Sequence, residues 1–496
     1  MTESPTQPAG PKPTEPTPAD SGPVAEALEA HAAADTAITD FGIDTTSRTT
    51  YEAIGDYWNR LRGGELGAVP ALLGLTVLVV IFAIASGDFV SINNLANLLQ
   101  QGAGPMIIAM GIVPVLLLGE IDLSAGTASG VAATLLALHF RDHGNLLGAM
   151  GDSMFYGFVV GLVLAALLAA LLRLWIGVVG SLGAVAVLLL GVPANPYLEM
   201  LLAILVGVGI GCFTGFLVAK VGIPSFVVTL GLFIAWYGVI LQLIGAAGTV
   251  SVRQSDVLFN VANDSLSVVG SWILFVVACG GYAAVVGLRH AARLRKGLVA
   301  QPTPLVLAKI VGVVVLGAVA TWLLTLNRSP NPALTDISGV PYVVPIVLVL
   351  FVVGTFVLDR TRYGRHIYAV GGNTEAARRA GVNVPKIRMS VFIICSAVAA
   401  IGAIVYTSKV GSVDGNAGNG NTLLFAVGAA VIGGTSLFGG KGRVRDAVLG
   451  GLVLATVQNG LNLLGFQAAP VNIITGLVLL LAASVDALSR RRAAAR

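Results

Sequence analysis

Hydrophobic and polar positions along this chain fall into long blocks, with neither the two-residue alternation of strands nor the one-sided stripe of soluble helices. After Arg60 and Arg62 comes GAVPALLGLTVLVVIFAIAS, about twenty apolar residues, the length that crosses a bilayer as one helix. Further apolar blocks lie near residues 102–119, 125–140, 154–172, 175–192, 197–219, 225–245, 270–288, 304–325, 341–358, 389–407, 421–437, 446–463 and 471–486. The pattern predicts an all-α fold, a polytopic transmembrane helical bundle of about 14 apolar spans. Three regions follow: a Pro/Ala-rich disordered tail over 1–62, a membrane domain over 63–490 and a basic tail over 491–496. The first begins MTESPTQPAGPKPTEPTPADSGP, too polar and interrupted to bury a core. It lacks the apolar centre of a secretory signal and is expected to be retained in the cytoplasm.

Composition agrees with the block pattern. A chain with 56% hydrophobic and 11% charged residues is not a soluble globular domain. The net charge of +4 raises the question of nucleic acid, but the basic residues cluster at block ends, as cytoplasmic anchors do. Counting crossings from a cytoplasmic N-terminus puts RHAARLRKG from Arg289, the loop Asp359 to Ser390, KGRVRD from Lys441 and the terminal RRRAAAR inside. The less basic stretches Thr249 to Val269 and Asn327 to Val340 fall outside, and the C-terminus is cytoplasmic as well. A multi-pass protein of a cell membrane, surrounded by lipid and without a nucleic-acid partner, is the expectation. Cys212, Cys279 and Cys395 all lie in apolar blocks and read as buried, reduced thiols. The five histidines are scattered without ligand spacing, so no metal site is expected.

The longest charged interruption of the second half, DRTRYGRHIYAVGGNTEAARRAGVNVPKIRMS from Asp359 to Ser390, holds a short helix with defined ends. Asn373 can cap its start, Gly381 can supply a left-handed stop, and Arg378 and Arg379 suit its negative end. Read as a helix from Asn373 to Ala380, it puts Asn373, Ala376, Ala377 and Ala380 on one side and Thr374, Glu375, Arg378 and Arg379 on the other. Small residues admit a close-packed surface and charges orient it, which suits docking of a cytoplasmic partner; an ordinary basic loop would use the same residues.

Two glycine-rich stretches break the membrane pattern. GEIDLSAG places Glu120, Asp122 and Ser124 between Gly119 and Gly126. A carboxylate at mid-membrane depth costs roughly 2.5–3.5 kcal/mol, so such groups need partners, water or a boundary. They read as a turn whose Asp122 or Ser124 caps the next helix, with a proton or ion site as the other reading. GGTSLFGGKG, with Gly433, Gly434, Gly439 and Gly440, repeats the offset of Gly119 and Gly126 and suggests two related halves. As a phosphate-binding loop it fails, because Thr435 stands where the first glycine belongs and Gly442 where Ser or Thr must follow Lys441. Amides and hydroxyls in or near apolar blocks, Gln100, Gln101, Ser225, Thr229, Asn416, Asn421, Gln458, Asn459 and Asn462, could line a polar pathway. They could equally hydrogen-bond between helices. Trp236 and Tyr237 could stack on a sugar ring or pack within the bundle.

GEIDLSAG, YGRHIYAVGGNTEAARRAGVNVPKIR and GGTSLFGGKG occur in an order that resembles the permease subunits of xylose and ribose type ATP-binding-cassette sugar importers, over roughly residues 67 to 488. The resemblance implies a membrane pathway for a monosaccharide, xylose or a similar sugar. It also implies three partners: a cytoplasmic ATPase, an extracytoplasmic sugar-binding protein and a second permease copy, as a homodimer. The segment from Gly371 to Val382, with Gly372, Asn373, Glu375, Ala376, Ala377, Arg378, Arg379, Ala380 and Gly381, would be the helix that sits in a groove of the ATPase. No catalytic residue and no cofactor are expected in this chain, ATP and Mg belonging to the partner. The tail and extra apolar material between roughly His139 and Pro196, about two crossings, depart from shorter members of the group. An ion-coupled secondary transporter using Glu120, Asp122 or Asp486 is the principal alternative, and a membrane glycosyltransferase a further one.

Overall fold

The computed structural model describes residues 49–52, 55, 69–298, 300–329, 331 and 333–494. Its first part is a run of helices: α1 (Val69–Ala85), α2 (Ile92–Leu117), α3 (Ala125–Arg141), α4 (Leu146–Met150), α5 (Asp152–Leu171), α6 (Trp175–Leu190), α7 (Pro196–Phe216) and α8 (Ser225–Ile244). The middle holds strand β1 (Thr249–Ser251), α9 (Asp256–Asn263), α10 (Val268–Phe275), α11 (Gly281–Arg295), α12 (Thr303–Thr325) and α13 (Val343–Arg360). The last part comprises α14 (Arg362–Gly372), α15 (Thr374–Arg379), α16 (Val384–Val410), strand β2 (Ser412–Asp414), α17 (Gly420–Ile432), α18 (Val444–Leu463) and α19 (Ala468–Ala494). Single π turns, Leu217–Val221 and Val276–Gly280, extend α7 and join α10 to α11. The expectation for the tail falls on positions of which only 49–52 and 55 are described, and the Asp486 side chain lies outside the described residues.

Each expected apolar block falls on a helix. Among the described residues 8 helices are long and apolar enough to cross a membrane, and shorter apolar helices stand beside them. The protein is thus a polytopic helical membrane protein. Helix α2 begins at Ile92, well before the apolar block at 102, because its polar first turns find partners. Ser91 Oγ accepts the Asn94 N–H at 3.2 Å, and the Asn94 side chain is satisfied across the bundle. Other starts follow the same logic: Asn195, before Pro196, accepts from Tyr197 N–H at 3.0 Å, and Asn383, before a proline in the first turn, accepts from Lys386 N–H at 3.1 Å.

Helix α16 is the centre of the bundle, packed along α2, α3 and α7. Water cannot drive helices together inside a bilayer, so close contact of small residues does. Gly207, Gly211 and Gly215 line the face of α7 against α16. A Cβ there would come within 2.6 Å of Ser396 O, 2.6 Å of Phe392 O and 2.9 Å of Met389 O respectively. On the other side, a Cβ at Gly111 of α2 would lie 2.9 Å from Cys395 O. Cys212 and Cys395 are free and buried in this seam, while Cys279 is only half-buried. At one end of the bundle β1 and β2 pair antiparallel, Val250 opposite Val413, joining the chain after α8 to the chain after α16. The run α10–α11 and its neighbour α12 pack mainly on each other and leave long apolar faces outward.

Two expected pathway residues belong to this packing. Asn459 of α18 and Asn94 of α2 exchange side-chain hydrogen bonds, Nδ2 to Oδ1 at 2.8 Å in each direction, both residues buried. Gln100 accepts from Lys409 Nζ at 2.7 Å, supplying an oxygen to a cation near the end of α16.

Gly211→Leu should destabilise the protein by about 1–3 kcal/mol, the range for overpacking, read as a lower thermal unfolding midpoint in detergent. Gly312→Leu, where an added Cβ meets nothing, should leave the midpoint unchanged; equal behaviour of the two variants would remove the glycine seam from the account. Asn94→Leu and Asn459→Leu should each cost about 1–3 kcal/mol by stranding a buried amide, and the double variant should recover most of the loss. Additive losses would show that the pair is not coupled.

Candidate coupling site

Helix α14 is amphipathic and lies at the end of the bundle opposite the β ribbon. Thr361 starts it by accepting the Gly364 N–H at 3.1 Å. Its tyrosines fasten it to two different helices: Tyr363 OH pairs with Ser390 Oγ of α16 at 2.8 Å, and Tyr368 OH donates to Gly442 O, just before α18, at 2.8 Å. Burial pushes both phenols up to about 12, so each keeps its proton throughout the neutral range.

Helix α15 has the ends its sequence specifies. Asn373 Oδ1 accepts from Ala376 N–H at 2.9 Å. Gly381, at φ +84, closes a Schellman stop in which Val382 N–H reaches Ala377 O and Gly381 N–H reaches Arg378 O, both at 3.0 Å. Arg378 Nη1 lies 3.1 Å from Glu375 Oε1 on the outer side. The expected division of faces is corrected at Ala377. It is only 4% exposed and belongs to the same hydrophobic cluster as Leu117, Val370 and Val384, whereas Asn373, Ala376 and Ala380 are exposed along with Glu375, Arg378 and Arg379. A helix of 6 residues makes under two turns, and lying against its own protein consumes the one position that points inward.

The GEIDLSAG stretch is an irregular passage between α2 and α3. Gly119, at φ +75, ends α2 in a second Schellman stop, Glu120 N–H reaching Val115 O at 3.2 Å and Gly119 N–H reaching Leu116 O at 2.9 Å. Beyond it the backbone of Ile121 is satisfied by α8: its N–H donates to Ser225 Oγ and its carbonyl accepts from Thr229 Oγ1, both at 3.2 Å. Asp122 is buried, its Oδ1 accepting the Ser124 N–H at 3.0 Å and the Ser124 hydroxyl at 2.6 Å. Asp122 therefore organises the entry to α3, and Ser124 serves it as a donor. Gly126 lies in the first turn of α3 against Gly418 O and Leu423. Glu120 Oε1 stands 3.3 Å from Arg388 Nε of α16, an ion pair by distance whose N–H is not aimed at the oxygen.

The GGTSLFGGKG stretch forms the matching turn between α17 and α18. Ser436 N–H donates to Lys441 O at 2.9 Å and closes it, while Asp446 Oδ2 accepts the Arg443 N–H at 2.8 Å and the Thr435 hydroxyl at 3.3 Å. The glycines of the two turns do not correspond in conformation. Gly119 is left-handed where Gly433 is at φ −67, and Gly126 is helical where Gly440 is at φ +73.

These three motifs, far apart in sequence, meet at the carbonyl of Leu117. Gly440 N–H donates to it at 2.9 Å. Gly371, in the last turn of α14, lies on the same oxygen so closely that a Cβ would overlap it. A Cβ at Gly439 would stand 3.1 Å from Gly371 O and 2.9 Å from Gly119 N. The glycines remove every side chain from between three backbones, so a displacement of α14 has no soft layer in which to be absorbed.

The remaining pathway candidates do not converge. Ser225 and Thr229 brace the GEIDLSAG passage, Asn416 is exposed in the turn after β2, and Asn421 lines a cavity of about 110 Å³ between α17, α18 and α19 with Asn472 and Thr475. Gln101 and Asn462 are exposed and Gln458 is half-buried. Sequence reasoning missed Arg388, Tyr368 and Leu117. Arg388 and Tyr368 lay within the charged loop already singled out, and the double glycine of YAVGGN carried a signal, since one glycine suffices to end a helix.

The model of a family described as branched-chain amino acid transport system / permease component matches residues 174–483. The xylose transport system permease protein XylH of Escherichia coli (strain K12) is 31% identical over 435 residues, 85% of this chain and 94% of the relative. Its namesake from Haemophilus influenzae is 28% identical over 440 residues, 87% of this chain and 99% of the relative. The ribose import permease protein RbsC of Escherichia coli (strain K12) is 29% identical over 416 residues, 84% of this chain and 92% of the relative. No solved structure matches. From the extent of these matches, the chain belongs to the family of transport-system permease components.

Proposed function

We propose that this chain is the permease subunit of an ATP-binding-cassette importer, forming the membrane pathway for a monosaccharide, xylose or a similar pentose or hexose. The observation that carries the reading is the likeness to xylose and ribose permeases along nearly their whole length. Three partners belong to it: a separate cytoplasmic ATPase using Mg-ATP, an extracytoplasmic sugar-binding protein and a second copy of this chain. The protein resides in the cytoplasmic membrane with both termini inside and about fourteen crossings. The end that carries α14 and α15 then faces the cytoplasm, and the β ribbon faces outward.

In this reading the exposed residues of α15, Asn373, Glu375, Ala376, Arg378, Arg379 and Ala380, with Gly372 and Gly381 at its ends, sit in a groove of the ATPase. ATP binding closes the ATPase dimer and carries α15 with it. The movement passes through Gly371 to the Leu117 carbonyl and through Tyr363 and Tyr368 to α16 and α18, so the helices that flank the pathway rock together. Of the carboxylates considered for ion coupling, Glu120 stands beside Arg388 and Asp122 accepts from Ser124, which favours structural roles for these two over ion transport.

Ala376→Arg should leave the thermal unfolding midpoint unchanged while lowering ATP-driven sugar uptake by about tenfold or more. Ala377→Arg should lower the midpoint as well, because the new charge enters a core; intact stability in Ala377→Arg would contradict the inward placement. Gly371→Val should retain ATPase binding but lose the link between hydrolysis and uptake, measured as ATP turned over per sugar transported. The decisive experiment is uptake of radiolabelled pentose into proteoliposomes holding this chain, its candidate ATPase and a loaded binding protein. Uptake that requires all three and hydrolysable ATP is expected; uptake by this chain alone on a proton or sodium gradient would establish the secondary transporter.

A further inference from the structure

The outer pair α11 and α12, which the proposed coupling does not use, carries an unbalanced charge at one end. No Asp or Glu occurs between Asp264 and Asp336, while Arg289, Arg293, Arg295, Lys296 and Lys309 gather near the turn that joins the two helices. All five are exposed, and among the described residues none of them pairs with a carboxylate. This end is the one that carries α14. Leu266 N–H donates to Val340 O at 2.9 Å and Tyr342 N–H to Asp264 O at 3.1 Å, so α10 and α13 set out together from the ribbon end, and Arg295 and Arg360 finish at the other.

Helix-end electrostatics explain only part of the cluster. Arg293 and Arg295 lie in the last turn of α11, whose negative end they suit. Lys309 stands instead in the second turn of α12, near the positive end of that helix. Its side chain runs back along the helix, and Nζ donates to Gln301 Oε1 at 2.8 Å, leaving two of its three donors without a partner among the described residues. A lysine that doubles back in this way brings its charge to the bilayer surface while its stem lies in apolar surroundings.

The cations of the two helices share one side. His290 Nε2 lies 3.0 Å from Thr303 Oγ1, and a Cβ at Gly317 would come within 2.6 Å of Cys279 Sγ, so these four positions face each other across the pair. Thr303, Ile310 and Gly317 lie seven residues apart on one face of α12. In two antiparallel right-handed helices the positions just before the facing ones, Arg289 before His290 and Lys309 before Ile310, turn to the same side. Deeper in the membrane on that side stand Val285 and Tyr282 beneath Arg289, and Val313 and Leu316 beneath Lys309, four and seven residues away and all exposed.

The cations call for a negative partner, and the stripe beneath them calls for hydrocarbon. A free phosphate or an acidic polypeptide meets only the first need. A second copy of this chain packed on this face about a two-fold axis sets the same cations against each other. A phospholipid with a net negative headgroup meets both needs, and basic segments at a membrane surface attract such lipids. We propose that the α11–α12 end binds one anionic diacyl phospholipid, its phosphate between Arg289, Arg293 and Lys309 and its acyl chains along Val285, Val313 and Leu316. The lipid supplies this pair with a lateral neighbour that the bundle does not provide.

The test is native mass spectrometry of the purified full-length chain in detergent, titrated with palmitoyl-oleoyl phosphatidylglycerol. One saturable lipid adduct is expected. Arg289→Gln/Arg293→Gln/Lys309→Gln, confined to exposed positions, should keep its size-exclusion profile and weaken the adduct by about tenfold or more. Arg360→Gln/Arg362→Gln/Arg365→Gln removes three exposed cations from the same end and should leave the adduct unchanged. Equal weakening by the two variants would overturn the site in favour of a general attraction to that end. Equal binding of palmitoyl-oleoyl phosphatidylcholine would overturn it as well, since charge would then play no part. So would displacement of the lipid by an equal concentration of soluble glycerophosphoglycerol, since the acyl chains would then contribute nothing.

Discussion

The carbonyl of Leu117 is the contact on which this end of the molecule depends. It belongs to the last turn of α2, where a helix has no further N–H of its own to offer, and it is satisfied by Gly440 from the turn before α18. Gly371 of α14 rests on the same atom. One unsatisfied helix end thus becomes the meeting point of the two glycine-rich turns and the amphipathic helix. Any side chain larger than hydrogen at Gly371 would separate them. Backbone contact of this kind is stiff because it has no rotamers, so a displacement on one side of it is passed to the other rather than absorbed.

Inside the bilayer the same economy of side chains organises the bundle. The glycines of α7 let α16 approach to backbone distance, and α2 meets α16 from the other side through Gly111. One buried amide pair, Asn94 and Asn459, is joined across helices. The close seam and the paired amides do different work. Glycine contacts set how near α7 and α2 come to α16, and the amide pair fixes the register of α2 against α18.

Much of this was legible in the sequence. Apolar blocks of bilayer length announced the helices, and Asn373 and Gly381 marked both ends of α15 because capping and left-handed turns need those residue types. The inward placement of Ala377 was not legible, since a helix of under two turns has no periodicity from which to read a face, and alanine suits a core or a docking surface equally. Asn459 looked like a pathway amide because its partner lies 365 residues away, and the same distance hid the roles of Ser225 and Thr229, which serve a peptide group more than 100 positions earlier in the chain. Polar residues in membrane segments advertise that they need a partner without saying which.

The small ribbon of β1 and β2 acquires meaning from where it lies. It ties α8 to α16 at the end of the bundle away from Leu117. At the other end α8 holds the Ile121 backbone, and α16 stands beside Glu120 of the same short passage. The two helices and their two ties form a closed loop. Tied at both ends, the helices cannot part at one end without straining the tie at the other.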